Sequence, residues 1–172
     1  FGPESGGKTT LAHIAAKEMG VTLHERIGQS LVFPSALNGL FAEVGDKEIV
    51  FIDEIHLLGV HLQTLLYKSM EERKIFVDGP GGLSIVLPTS DFTLIAATTD
   101  EYALLQPLRD RFKVILPFTF YDDASLATIT KQHAQVMGRA LPVDGASEVA
   151  KRSRGTPRLA IGLRESCQRA EL

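Results

Sequence analysis

The eight residues Gly2-Pro3-Glu4-Ser5-Gly6-Gly7-Lys8-Thr9 match the pattern G-x-x-x-x-G-K-[ST] in full. Few short patterns restrict a fold so strongly. Its glycines let the backbone wrap round a phosphate, and successive N–H groups at the start of the next helix point at the charge. Such a loop needs a strand before it and a helix after it, which commits the chain to an alternating α/β arrangement. Lys8 is placed to reach the β- and γ-phosphates of a nucleotide and the Thr9 hydroxyl to coordinate Mg²⁺. Gly2, Pro3, Gly6, Gly7 and Thr10 complete the cradle. The competing reading of these residues alone is a glycine-rich turn that caps a helix.

A second stretch decides between the two. Ile49-Val50-Phe51-Ile52 is apolar on both faces, as a central parallel strand must be, and Asp53-Glu54 follows at its C-terminal end, where α/β sheets bind ligands. Asp53 is expected in the Mg²⁺ shell, and Glu54 is expected to polarise the water that attacks ATP. Two surface acids at a solvated strand end would not follow a phosphate loop at this distance. With 44% hydrophobic and 23% charged residues, the 172-residue chain has enough apolar surface to bury a core.

The remaining pattern fits. Leu11, Ile14, Ala15 and Met19 recur at helical spacing, with Gly20 placed to end the helix, and a strand is expected over residues 21–27. Leu37, Leu40, Phe41 and Val44 mark a helix stopped by Gly45, and Leu62, Leu65, Leu66 and Met70 mark another. Residues 74–77 and 83–87 read as strands of a hairpin joined by a Gly/Pro-rich turn, inserted into the βα alternation. A buried strand at 93–97, a helix at 104–111 and a last strand at 114–116 complete a mostly parallel three-layer α/β sheet. Beyond Phe120 only helices are expected, one of them opened by Thr156-Pro157. The division falls near Tyr121: an ATPase core over 1–120, then a small helical domain over 121–172.

Other functional classes find little support. The net charge of −3 lacks the basic balance of an obligate nucleic-acid binder, although a ring can gather a few basic loops round a pore. The histidines are scattered without zinc spacing, and Ser5 has no histidine base near it in sequence. A lone cysteine, Cys167, is expected half-buried on a helix, and it points to a cytosolic location. No apolar run is long enough to cross a membrane. Because the phosphate loop begins at once and the last residues stop within a helical pattern, the chain reads as an internal fragment of a longer protein.

Five stretches occur in order: residues 2–10, Phe51-Ile52-Asp53-Glu54-Ile55-His56, residues 92–99, Pro107-Leu108-Arg109-Asp110-Arg111-Phe112 and residues 152–158. Together they resemble the RuvB family, the AAA+ motors of bacterial Holliday-junction branch migration, over nearly the whole chain. The resemblance implies a P-loop AAA+ three-layer core with an inserted β-hairpin, then a helical lid. It implies ATP hydrolysis with Mg²⁺ in a homo-oligomeric ring acting on four-way junction and duplex DNA, whose winged helix lies downstream and is absent here. Thr99 corresponds to sensor 1, which positions water or γ-phosphate. Arg111 matches the arginine finger that acts on the neighbouring subunit's nucleotide, with Arg109 the competing candidate. Arg158 corresponds to sensor 2. The hairpin of residues 75–87 aligns with the one that docks a RuvA-like junction-binding protein; Ile75, Phe76, Leu83, Ile85 or Leu87 would suit that contact if exposed, and would pack on their own domain otherwise.

The sequence departs from the family pattern at four places: Glu4-Ser5-Gly6 for Pro-Gly-Leu, Leu57 for Arg, Asp100-Glu101 for Arg-Ala, and Lys113 for Gly. None removes a named catalytic group. Two rivals stand beside the family reading. Another DNA-acting AAA+ ATPase, such as a clamp loader or initiation ATPase, fits less well because of the hairpin. A non-hydrolysing nucleotide-binding adaptor would have no need of Glu54 or Arg111.

Overall fold

Ile49, Val50, Phe51 and Ile52 are all fully enclosed, and the strand they form runs between two parallel neighbours. The structure, a computed structural model, describes residues 1–4, 6–78 and 84–170. The chain divides into two units: Phe1 with Lys8–Leu116, and Gly2–Gly7 with the residues from Pro117 onward.

In the first unit the elements are α1 (Lys8–Met19), β1 (Leu23–Ile27), α2 (Pro34–Glu43), β2 (Ile49–Asp53), α3 (Val60–Glu72), β3 (Lys74–Asp78), β4 (Ser84–Pro88), β5 (Thr93–Ala96) and α4 (Gln106–Arg109). The strand order β1-β2-β5 is parallel throughout, with Leu23 opposite Ile49 and Ile49 opposite Thr93. Side chains alternate across the sheet. Val50 and Ile52 join Leu37, Leu40 and Phe41 of α2 and Leu62 and Leu66 of α3 on one face, where Phe41 also stacks on Phe92 with ring centroids 5.1 Å apart. Phe51 meets Ala12 of α1 on the other. Three layers result, and each fully buried Leu, Ile or Phe contributes about 1.5–3 kcal/mol.

Several expectations need correction. The first helix meets the sheet through Ala12, a small residue that lets α1 approach β2 closely, and Ala16 is also buried, whereas Leu11, Ile14 and Met19 are exposed. Gly20, at φ 66°, does end that helix. Residues 114–116 are no strand: no ladder pairs them, Val114, Ile115 and Leu116 are exposed, and the Phe1 backbone nitrogen donates to the Leu116 carbonyl at 2.9 Å. The helix expected at 104–111 shrinks to the four residues of α4, since Leu104 and Leu105 have non-helical backbone, at ψ 141° and 135°, and residues 110–111 form a turn. The second helix ends at Glu43, one residue before the extended Val44, so Gly45 lies outside it.

Glu48 ties the start of β2 to its surroundings. Its Oε2 lies 2.7 Å from His24 Nε2 on β1 and accepts the Gly45 N–H at 2.7 Å. The Gly45 N–H above all, then the Thr22 hydroxyl and His24, hold its carboxyl down to about 2. A depressed carboxylate gives stability that is present above its unfolded value and lost as pH falls through the folded one. The protein should therefore lose this contribution between about pH 4.5 and about pH 2. Glu48→Gln should unfold more easily at pH 7 yet show a shallower acid limb in thermal melts. An unchanged acid limb would remove Glu48 from this role.

The second unit contains α5 (Asp123–Val136), α6 (Val143–Arg152) and α7 (Pro157–Ala170). Leu126, Ala150 and Ala160 form its core, with Tyr121 and Val149 against it. Asp122 caps α5 by accepting the Ser125 N–H at 2.6 Å, which holds its carboxyl below the usual range. Cys167 is exposed on α7, three residues beyond the buried Arg164, not half-buried as expected. No helix among the described residues is long and apolar enough to cross a membrane.

Candidate functional site

Parallel pairing sets β2 and β5 side by side, so the segments that leave their C-terminal ends also run together. Ala97 N–H donates to the Ile52 carbonyl and Ile55 N–H to the Ala97 carbonyl, both at 2.9 Å. The two bonds place Asp53-Glu54 beside Thr98-Thr99. From α1, the Thr9 hydroxyl donates to Asp53 Oδ2 at 3.1 Å, while Asp53 Oδ1 accepts the Glu54 N–H at 3.0 Å. A hydroxyl and a carboxylate this close form the hard oxygen pair that Mg²⁺ takes when phosphate oxygens and water fill its remaining positions.

Glu54 adopts an uncommon backbone. Its φ and ψ are both 48°, the left-handed region, which a non-glycine residue occupies at a cost of about 1–3 kcal/mol. The surroundings hold it there. Gly28, just after β1, packs so tightly that a Cβ on it would lie 2.4 Å from the Glu54 carbonyl oxygen. Any side chain at position 28 would displace the Asp53–Glu54 turn. The Glu54 carboxylate accepts from the Thr99 hydroxyl at 3.3 Å, and its Oε2 lies 3.2 Å from His56 Nδ1. Thr99 is exposed and Thr98 buried.

The two candidate fingers have different partners within the unit. Arg111 pairs with Glu71 of α3 at 2.5 Å, both half exposed, and Arg109 lies over the Tyr102 ring at 5.1 Å. A buried glutamine steadies the segment that carries them: Gln63 Nε2 donates to the Leu58 carbonyl at 3.0 Å, and its Oε1 accepts the Leu105 N–H at 2.8 Å.

In the second unit the loop that precedes Lys8 lies against residues 118–121. A Cβ on Gly2, whose φ is 146°, would come within 2.3 Å of the Phe118 carbonyl oxygen, so glycine is required there independently of any phosphate. Gly6 is buried, and its carbonyl accepts the Tyr121 hydroxyl at 3.3 Å. Glu4 is exposed, the orientation that keeps its charge off a phosphate; Ser5 lies outside the described residues. Thr10, within α1 of the first unit, is exposed as well. Arg158 is exposed on the first turn of α7, with no ion pair among the described residues.

The hairpin divides its apolar residues. Ile75 is buried in the core, contrary to one of the two readings for it, because β3 packs beside α2 and α3 and Asn38 donates to the Phe76 carbonyl at 2.8 Å. Ile85, Val86 and Leu87 of β4 are about half exposed in succession. Leu83 and the turn lie outside the described residues. Gly28 and Gln63 escaped the sequence reading, while His56 and Thr98 stand in the quoted stretches without a role, His56 reading as an ordinary residue at a helix start. A single glycine, histidine or glutamine carries no spacing signal, and the contacts that matter join residues 26 to 42 positions apart.

A parallel sheet with helices on both faces and a hydroxyl–carboxylate pair at its C-terminal edge defines a P-loop nucleotide-binding domain of the AAA+ type. Residues 1–118 match the family model for the Holliday junction DNA helicase RuvB P-loop domain, and residues 121–165 match that for the RuvB AAA lid domain. The chain belongs to the RuvB family. It is similar to the Thermotoga maritima RuvB Holliday junction branch migration motor, at 38% identity and a TM-score of 0.85 over 95% of this chain and 51% of that one. A mutant of the same Thermotoga maritima protein matches at 37% identity and a TM-score of 0.87, over 95% of this chain and 52% of that one. The chain thus spans about half the length of these relatives.

Proposed function

We propose that this chain is the ATP-hydrolysing part of a motor that drives branch migration of four-way DNA junctions. The observation that carries the reading is the group at the end of β2, where Thr9 meets Asp53 and Thr99 meets Glu54, in a chain of the RuvB family. Thr9 and Asp53 would hold Mg²⁺, which neutralises phosphate charge when bound. Lys8 would pair with the β- and γ-phosphates, and Gly2, Pro3, Gly6, Gly7 and Thr10 would line the cradle. Glu54 would take a proton from the attacking water while the Thr99 hydroxyl orients it. Arg158, from the lid, would sense the nucleotide.

Arg111 would leave Glu71 to reach the next subunit's nucleotide, since an exposed ion pair is worth little and can be exchanged. A finger supplied in trans demands a head-to-tail interface that closes into a ring. Residues 1–120 form the proposed core, 121–172 the lid, and the location is cytoplasmic. Steady-state ATPase rates with and without four-way junction DNA test the reading: junctions should stimulate hydrolysis more than linear duplex of the same length, and no hydrolysis in either case would refute it.

The exposed apolar run on β4 is the proposed docking site for a RuvA-like junction-binding protein. Ile85→Asp combined with Val86→Asp should weaken that binding at least about tenfold, because charge in an apolar contact leaves it desolvated and unpaired. Basal ATPase should not change. Titration of the partner by calorimetry checks this, and equal affinity for the double variant would move the docking site elsewhere.

A further inference from the structure

Beside Glu54 stands a hydrogen-bond chain whose protons can be assigned by counting. Thr98 Oγ1 lies 2.9 Å from the Asp100 carbonyl, accepts the Asp100 N–H at 3.0 Å, and lies 2.9 Å from His56 Nδ1. A threonine hydroxyl has one proton to give. The Asp100 carbonyl can only accept, so the proton satisfies that oxygen, and Thr98 Oγ1 must then accept from His56. Nδ1 therefore carries a hydrogen. The alternative, a hydroxyl donating to a bare Nδ1, would leave that lone pair facing the Glu54 carboxylate at 3.2 Å and the Asp100 carbonyl without this bond. With Nδ1 protonated its hydrogen bonds Thr98 Oγ1, and the same N–H edge of the ring faces Glu54 Oε2 at 3.2 Å.

Burial favours a fixed arrangement. Thr98 is 5% exposed, so its hydroxyl has little competition from water, and the His56 ring is largely enclosed. The Glu54 backbone is already constrained by Gly28. Its Oε2 accepts the Thr99 O–H and lies 3.2 Å from His56 Nδ1. We propose that His56, anchored by Thr98, is a positioning residue that holds the Glu54 carboxylate by the close approach of its Nδ1–H edge. The inference rests on Glu54 being the group that activates water. His56 itself touches neither nucleotide nor water in this role.

Two measurements test it. Nitrogen-15 NMR of the histidine imidazoles, without nucleotide, should place the His56 hydrogen on Nδ1 in the neutral ring. A wild-type ring protonated only at Nε2 overturns the assignment. In steady-state ATPase assays His56→Ala should lower kcat about 10- to 100-fold, as a small misplacement of a catalytic group does, with nucleotide affinity unchanged. His56→Asn should restore part of the loss, since its amide can offer N–H from nearly the Nδ1 position, whereas a merely structural defect would not recover. Glu54→Gln separates the two levels. Lost turnover in Glu54→Gln with normal turnover in His56→Ala refutes the positioning role alone. Normal turnover in Glu54→Gln refutes the role of Glu54 and this inference with it.

Discussion

Arg111→Ala should bind ATP nearly as well as the parent protein and hydrolyse it about a thousandfold more slowly or worse, because a finger stabilises charge only as the γ-phosphoryl group transfers. Its place in the fold explains why binding survives. The residue follows α4 and pairs with Glu71, so nothing in its own subunit's Thr9–Asp53 pair depends on it. The variant also offers a test of geometry that no single-subunit defect can mimic. Subunits carrying Arg111→Ala mixed with subunits carrying Lys8→Ala should recover part of the activity, since each supplies across an interface what the other lacks. Absent recovery, or a larger loss from Arg109→Ala, would reassign the finger to the arginine now stacked on Tyr102.

Lys8→Ala and Glu54→Gln should both abolish turnover, by different routes. Removing the Lys8 ammonium leaves the triphosphate without its main cationic partner, and nucleotide binding should vanish in a fluorescence titration. Glu54→Gln keeps the size of the side chain and its place in the left-handed turn, but an amide is no base. ATP should bind with unchanged affinity while kcat falls about 10² to 10⁴-fold, the usual worth of general-base help. Loss of binding in Glu54→Gln would mean that the side chain supports the fold of the site instead.

How much of this could be read from the residues depends on whether the information was local. Residues 49–54 show their role in order: four apolar residues need cover on both faces, and two acids need the open end of a sheet. The phosphate loop is equally local, and so is the turn that opens the lid's last helix. Packing was less legible. The helical stripe of α1 marked the helix but not its buried face: Ala12 meets Phe51 of the sheet, while Leu11, Ile14 and Met19 are exposed. Residues 114–116 have the β-branched, apolar character of a strand, yet strand formation needs a ladder partner, and composition cannot supply one. The hairpin was divided by tertiary contact: its first strand completes the core under α2 and α3, and its second stays about half exposed.

Within the proposed site, the candidate groups stood out in the sequence and the residues that brace them did not. Asp53 and Glu54 stand in a pattern, whereas Gly28 and His56 matter through what they touch. The tight approach of Gly28 to Glu54 joins residues 26 positions apart, and Thr98 reaches His56 across 42. Gln63 is similar: a polar residue on a helix reads as solvated, but its amide is buried and satisfies the backbone just before α4.

Nucleotide hydrolysis at the end of β2 is proposed to move a DNA junction. A synthetic four-way junction with one fluorescently labelled arm, incubated with the protein, its RuvA-like partner and ATP, tests this most directly. ATP-dependent conversion of the junction to two duplexes is expected, abolished by Glu54→Gln although that variant still binds ATP. Intact junctions beside normal ATP hydrolysis, or conversion at an undiminished rate by Glu54→Gln, would contradict it.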